Sequence, residues 1–201
     1  MGCCCSRSSE EVVESTSINS SVSSRIGKHG VDVKISSNPT ANSFIVKGSG
    51  TAIGSCILEC DSAYWEVKIG ENPQGVRLGI KRNEGKQTKA LNGYLDDVLE
   101  ENNANKDSIE DTWYLKDVEY KKDDVIGVYW DQIDLPMLSF SINGKMMTDS
   151  SYLRIRPANN IIPAVSVRDG SSCEVIFDGN NFSFPPKSSR FGSIVCASSL
   201  I

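Results

Sequence analysis

From Val31 onward, apolar and polar residues alternate along much of the chain with a period of two. Trp65, Val67 and Ile69 are separated by Glu66 and Lys68, and Val76, Leu78 and Ile80 by Arg77 and Gly79. Each run predicts a strand with one buried face. Leu138, Phe140 and Ile142 alternate with Ser139 and Ser141 and then meet Asn143-Gly144. That dipeptide suits the positive φ angles of a two-residue hairpin, which would return Lys145, Met146 and Met147 antiparallel. Further strands are expected over residues 44–46, 52–58, 125–130, 162–167 and 173–177. No stretch keeps a helical period. Short strands at this spacing, broken by Gly, Pro, Asn and Asp, predict an all-β fold, a two-sheet antiparallel sandwich.

Two segments break the rhythm. Residues 6–28 are rich in Ser with interspersed Glu and contain no aromatic residue, too little apolar surface to offset the entropy of ordering. They read as a flexible tether with an r.m.s. reach of roughly 25–30 Å. Residues 94–124 carry eleven acidic side chains against four lysines, a local charge of −7. This insertion is expected to be a solvated loop with its exposed tip at 102–105. The division is then a tail at 1–29, a sandwich domain at 30–187, and a segment at 188–201 whose apolar Ile194, Val195, Leu200 and Ile201 pack on the sandwich.

The chain begins Met1-Gly2-Cys3-Cys4-Cys5-Ser6, which fits N-myristoylation of Gly2 after removal of Met1. A single myristoyl chain binds a bilayer only reversibly, so a second signal is needed. Residues 1–40 hold four basic and four acidic side chains, so no polybasic patch supplies it. Palmitoylation at Cys3, Cys4 and Cys5 would, placing the protein on the cytoplasmic face of a membrane, the plasma membrane by expectation. The three cysteines lack the spacing of a zinc site, and no Cys or His pair completes one. In that compartment all seven cysteines should be reduced thiols.

Composition narrows the function. The net charge is −5 with 39% hydrophobic residues, which disfavours nucleic acid as a partner. No apolar run approaches a membrane span. The only histidine is His29, at the tail boundary, so a catalytic triad lacks its usual base. The glycine-rich run from Gly48 to Gly54 has the wrong spacing for a dinucleotide loop, and no Walker-type loop exists. Glu66 and Glu174 are read as outward-facing strand residues rather than a pair for glycoside hydrolysis. No catalytic activity, cofactor or metal is expected.

Three segments in order carry a resemblance. They are Tyr64-Trp65-Glu66-Val67 with Gly75-Val76-Arg77-Leu78-Gly79-Ile80; Asp124 to Asp131 with Leu138 to Lys145; and Ile162-Pro163-Ala164-Val165-Ser166 with Cys173-Glu174-Val175. Together they resemble the SPRY domain, from about residue 30 to 187. Within that family the chain is most similar to the small stand-alone type represented by SPRY domain-containing protein 7, from the early strand after His29-Gly30.

The resemblance implies a bent two-sheet sandwich that recognises a protein or peptide through loops at one end. The corresponding positions are Ser49, Gly50, Thr51 and Ala52, the neighbourhood of Tyr94, and Arg168, Asp169 and Gly170. Arg168-Asp169 replaces the apolar residue and Trp found in peptide-capturing relatives, so their peptide motif is not carried over. Trp113, beside the acidic insertion, is added as a surface contact, whereas Trp65 and Trp130 are expected in the core. The expected function is that of a membrane-anchored, non-catalytic adaptor. The alternatives are a membrane-skeleton component held by its acyl chains and a lectin-like module.

Overall fold

Twelve strands among the described residues form two antiparallel sheets in a computed structural model that describes residues 25–83, 91–96, 111–156 and 159–194. They are β1 (Ile26–His29), β2 (Val33–Asn38), β3 (Ser43–Gly48), β4 (Gly50–Gly54), β5 (Ser62–Ile69), β6 (Val76–Arg82), β7 (Thr112–Tyr114), β8 (Val125–Asp131), β9 (Met137–Ile142), β10 (Lys145–Leu153), β11 (Ile161–Val167) and β12 (Ser172–Ile176). One sheet runs β1-β4-β11-β6-β7 and the other β10-β9-β8-β5-β12-β3-β2. The expectations for Gly2, Cys3, Cys4, Cys5, the Ser-rich tail, the tip at 102–105, and Val195, Leu200 and Ile201 lie outside the described residues.

The all-β sandwich is as expected, and so is the hairpin. Asn143 and Gly144 take φ of 48° and 77°, and Ile142 pairs with Lys145. The sandwich starts earlier than residue 30, because Ile26–His29, assigned to the tail, pairs with β4. At the other end Ile194 is buried in the core, and Gly192 makes a parallel bridge with Ala63.

Between the sheets lie the alternating residues that predicted the strands, Trp65, Val67 and Ile69 of β5, Val76, Leu78 and Ile80 of β6, and Leu138 and Phe140 of β9, together with Val128 and Trp130 of β8. The expectation of one buried face per strand is corrected, because further layers cover the outer faces. Outside the five-stranded sheet, Leu91 and Leu95 join Ile53, Tyr114, Ile162 and Ala164 in a second apolar cluster. Outside the other sheet, the chain after β12 lies across β5 and β8. Tyr64 there meets Phe182 edge-on at 4.8 Å, and Tyr129 meets Phe191 edge-on at 5.2 Å.

That second cover overturns the outward reading of Glu66, which has 0% exposure. Its carboxylate accepts hydrogen bonds from the Tyr64 hydroxyl (2.9 Å) and from the backbone N–H groups of Ser183 and Phe184 (2.7 Å each). The Tyr64 hydroxyl also lies 2.9 Å from the Phe184 carbonyl. Burial, followed by the charge of Glu66, holds the Tyr64 phenol well above its ordinary pKa. Gly127 stands opposite Glu66, and a Cβ there would come within 2.5 Å of the Tyr64 hydroxyl. Glu174 is half-buried and accepts from Ser43 and Asn38.

The cysteines divide. Cys60 and Cys173 are free thiols, and burial pushes Cys173 up to about 12. Cys56 departs from the reduced state expected of it: it is disulfide-bonded.

Replacing Glu66 with Leu takes the acceptor from the part-buried amides of Ser183 and Phe184 and leaves the Tyr64 hydroxyl with the Phe184 carbonyl alone. Urea denaturation should show a loss of about 1–3 kcal/mol for Glu66→Leu. Glu66→Gln, which keeps one acceptor oxygen, should lose less than half of that.

Candidate functional site

At one end of the sandwich the β3–β4 connection, the β5–β6 loop and the β11–β12 turn converge. The β11–β12 turn is closed by a 2.8 Å bond from the Ser171 N–H to the Arg168 carbonyl. Its central residues Asp169 and Gly170 both have positive φ, 53° and 75°, the pattern of a type I′ hairpin. The β5–β6 loop is laced to it. Ser172 N–H donates to the Glu71 carbonyl, Gly70 N–H to the Ser172 carbonyl, and Asn72 Nδ2 to the Asp169 carbonyl (2.6 Å).

The carbonyl of Gly75 is where these segments meet. It accepts from Arg168 N–H (3.1 Å), Ser171 Oγ (2.9 Å) and Tyr94 Oη (2.6 Å). Gly75 itself admits no side chain, since a Cβ would lie 2.5 Å from the Arg168 carbonyl oxygen. The Arg168 guanidinium lies over the Tyr94 ring at 4.3 Å, a cation–π contact. It also reaches the Asp169 carboxylate at 3.5 Å. Burial raises the Tyr94 phenol pKa, and the nearby Arg168 charge opposes that rise.

Beside this turn is an open cavity of about 660 Å³, lined by Asp32, Lys34, Lys47, Ser49, Glu71 and Asp169 among others. Its charged groups are mixed in sign, and Lys122 closes on Glu71 at 2.6 Å from the rim. A second cavity of about 480 Å³, lined by Gln74, Arg77, Asp96 and Lys116 among others, lies on the far side of the β5–β6 loop. Arg77 is paired there with Asp96 at 3.3 Å.

The expected contact residues separate into two groups. Ser49, Asp169 and Gly170 are exposed together at the larger cavity, and Arg168 is half-exposed next to it. Gly50, Thr51 and Ala52 are buried because β4 has already entered the sheet. Thr51 Oγ1 instead donates to the Gly93 carbonyl at 2.8 Å and meets Ser166 Oγ at 2.7 Å, holding residues 91–96 against the sheet. Tyr94 is buried beneath Arg168 and acts as its platform.

Trp113 is corrected outright. At 3% exposure it is a core residue of β7, pairing with Ile80 across the ladder. Residues 111–120, read as part of a solvated loop, supply Leu115 and Tyr120 to the same core. Sequence reasoning missed Asp32, Lys34, Lys47 and Glu71, which are isolated charges on separate strands and loops that only the fold gathers.

The SPRY domain family matches residues 62–180. The chain belongs to the SPRY domain family. Solved structures agree on the fold. The crystal structure of the Drosophila melanogaster Neuralized NHR1 domain is 15% identical, with a TM-score of 0.52 over 77% of this chain and 96% of that one. The TRIM65 PSpry domain is 11% identical, with a TM-score of 0.51 over 76% and 87%. The solution structure of the Drosophila melanogaster Neuralized NEUZ (NHR) domain is 16% identical, with a TM-score of 0.50 over 79% and 94%. No curated protein matches the chain. As a SPRY domain it is a protein-protein interaction module, of a family that is generally non-catalytic.

The hub at Gly75 separates scaffold from surface. Gly75→Ala should lower stability by about 1–3 kcal/mol, and Tyr94→Phe by about 1 kcal/mol through the lost hydroxyl bond. Asp169→Ala, exposed at the turn, should stay within about 0.5 kcal/mol. Thermal melts of the three variants check the order.

Proposed function

We propose that this SPRY domain is an adaptor that captures a protein or peptide ligand at the Gly75 end of the sandwich, held to a membrane by its acylated N-terminus. The observation that carries the ligand reading is the convergence of Ser49, Asp169 and Gly170 on one open cavity beside the Arg168–Tyr94 stack. A rigid platform under an exposed turn suits recognition, since ordering costs on binding are small where side chains are already held. Mixed charges around the cavity favour a polar, hydrogen-bonding ligand over a purely apolar one.

The membrane reading rests on Met1-Gly2-Cys3-Cys4-Cys5-Ser6: myristate on Gly2 and palmitate on the cysteines give the two acyl signals that stable anchoring takes. The proposed site is the cytoplasmic face, at the plasma membrane. The Cys56 disulfide is the observation that pulls the other way, because cytosolic thiols are kept reduced.

Capture from native extract on the full chain should recover a discrete set of proteins, and the Arg168→Ala/Asp169→Ala variant should lose it while keeping its melting temperature. Retention of the whole set by that variant would sink the loop-face reading. In cells, myristate label should enter the wild type and not Gly2→Ala, and the Gly2→Ala chain should leave the membrane fraction. Peptide mapping without reductant completes the test: Cys56 recovered oxidised from living cells would rule out the cytoplasmic face.

A further inference from the structure

The outer face of the seven-stranded sheet carries a groove that shares no lining residue with the cavity at the Gly75 end. Its floor is Tyr129, Met137 and Ser139; one wall is the hairpin from Asn143 to Met146, and the other is the strap at 183–191. The strap lies beyond residue 180, where the SPRY match ends. The space enclosed is about 1040 Å³, at the top of the range for small-molecule pockets and long enough for several peptide residues.

The strap is fastened at both ends and open between them. Glu66 holds the amides of Ser183 and Phe184. At the other end Arg190 pairs with Asp131, and Phe191 packs on Tyr129. Pro185 and Pro186, in the middle of the strap, have no N–H to donate to the sheet. Phe184 is 36% exposed and Met146 49% exposed, on opposite walls.

The charge of the lining decides the occupant. Lys145, Lys187 and Arg190 line the groove and no acidic residue does, on a chain of net charge −5. Arg190 is neutralised by Asp131. Lys145 and Lys187 form no ion pair among the described residues. Two unpaired cations beside exposed Phe and Met call for an anionic ligand with an apolar anchor. Two facing walls accept a narrow chain rather than a flat bilayer.

We propose that this groove is a second binding site, which takes an extended Asp/Glu-rich peptide segment of another protein, with an aromatic side chain between Phe184 and Met146 and carboxylates on Lys145 and Lys187. The site is independent of the one at the Gly75 end, so the two could hold two partners at once.

The test is selection of a random peptide phage library on the full chain, with a synthetic peptide of the recovered consensus measured by fluorescence anisotropy. Expected are sequences with Asp or Glu flanking Phe, Tyr or Trp. That peptide should bind Lys145→Glu/Lys187→Glu about tenfold or more weakly and Arg168→Ala/Asp169→Ala as wild type. Both lysines are exposed, so the charge-reversed chain should melt as wild type does. A selection without an acidic-aromatic consensus overturns the proposal, as does equal binding by the charge-reversed chain or loss on the loop variant instead. Lysine-dependent sedimentation of the unacylated chain with phosphatidylserine vesicles, without peptide binding, would assign the groove to a lipid surface and also overturn it. Self-association abolished by the same charge reversal would assign it to a second copy, with the same consequence.

Discussion

A carboxylate buried on the outside of a sheet is the constraint around which this sandwich is arranged. Glu66 sits in a strand whose inner neighbours Trp65 and Val67 fill the core, and its own side faces what would be solvent in a two-layer fold. The cover formed by residues 182–191 removes that solvent, and a buried anion is tolerable only when hydrogen-bonded. The cover itself supplies the donors, two consecutive amides, and Tyr64 supplies a third. The same contacts therefore satisfy the charge and fasten the strap. The strap in turn forms one wall of the cationic groove.

The two ends of this economy differ in kind. At the Gly75 end a single carbonyl gathers three donors from two distant segments, so the turn bearing Arg168 and Asp169 is held by backbone geometry and its side chains are left for the surface. In the groove the walls are held at their extremities, and Lys145 and Lys187 between them form no ion pair among the described residues. The first is a preorganised rim with mixed charge; the second is an open channel of one sign.

Much of the architecture was legible in the residue pattern. Period-two alternation located β5, β6 and β9, and Asn143-Gly144 located a hairpin, because both signals are local: one is the geometry of a pleated strand, the other a pair of positive φ angles. Of the expected contact residues, Ser49, Arg168, Asp169 and Gly170 reach the surface of the candidate site, because all four lie in connections between strands. Thr51, Ala52 and Tyr94 turned inward because β4 and the 91–96 segment pack on the sheet. Trp113 was misjudged because acidic neighbours in sequence suggested solvent, whereas a three-residue edge strand carries it into the core.

Sequence alone determined that the chain is a β-sandwich and which alternating residues lie between the sheets. Those properties follow from spacing and short motifs, which need no knowledge of what comes near in space. Only the tertiary structure decided that both sheets are covered on their outer faces, that Glu66 is a fastening rather than a surface charge, and that Lys145 and Lys187 share a groove. Each depends on residues separated by tens to more than a hundred positions, brought together by the order of strands and by a strap that has no pattern of its own.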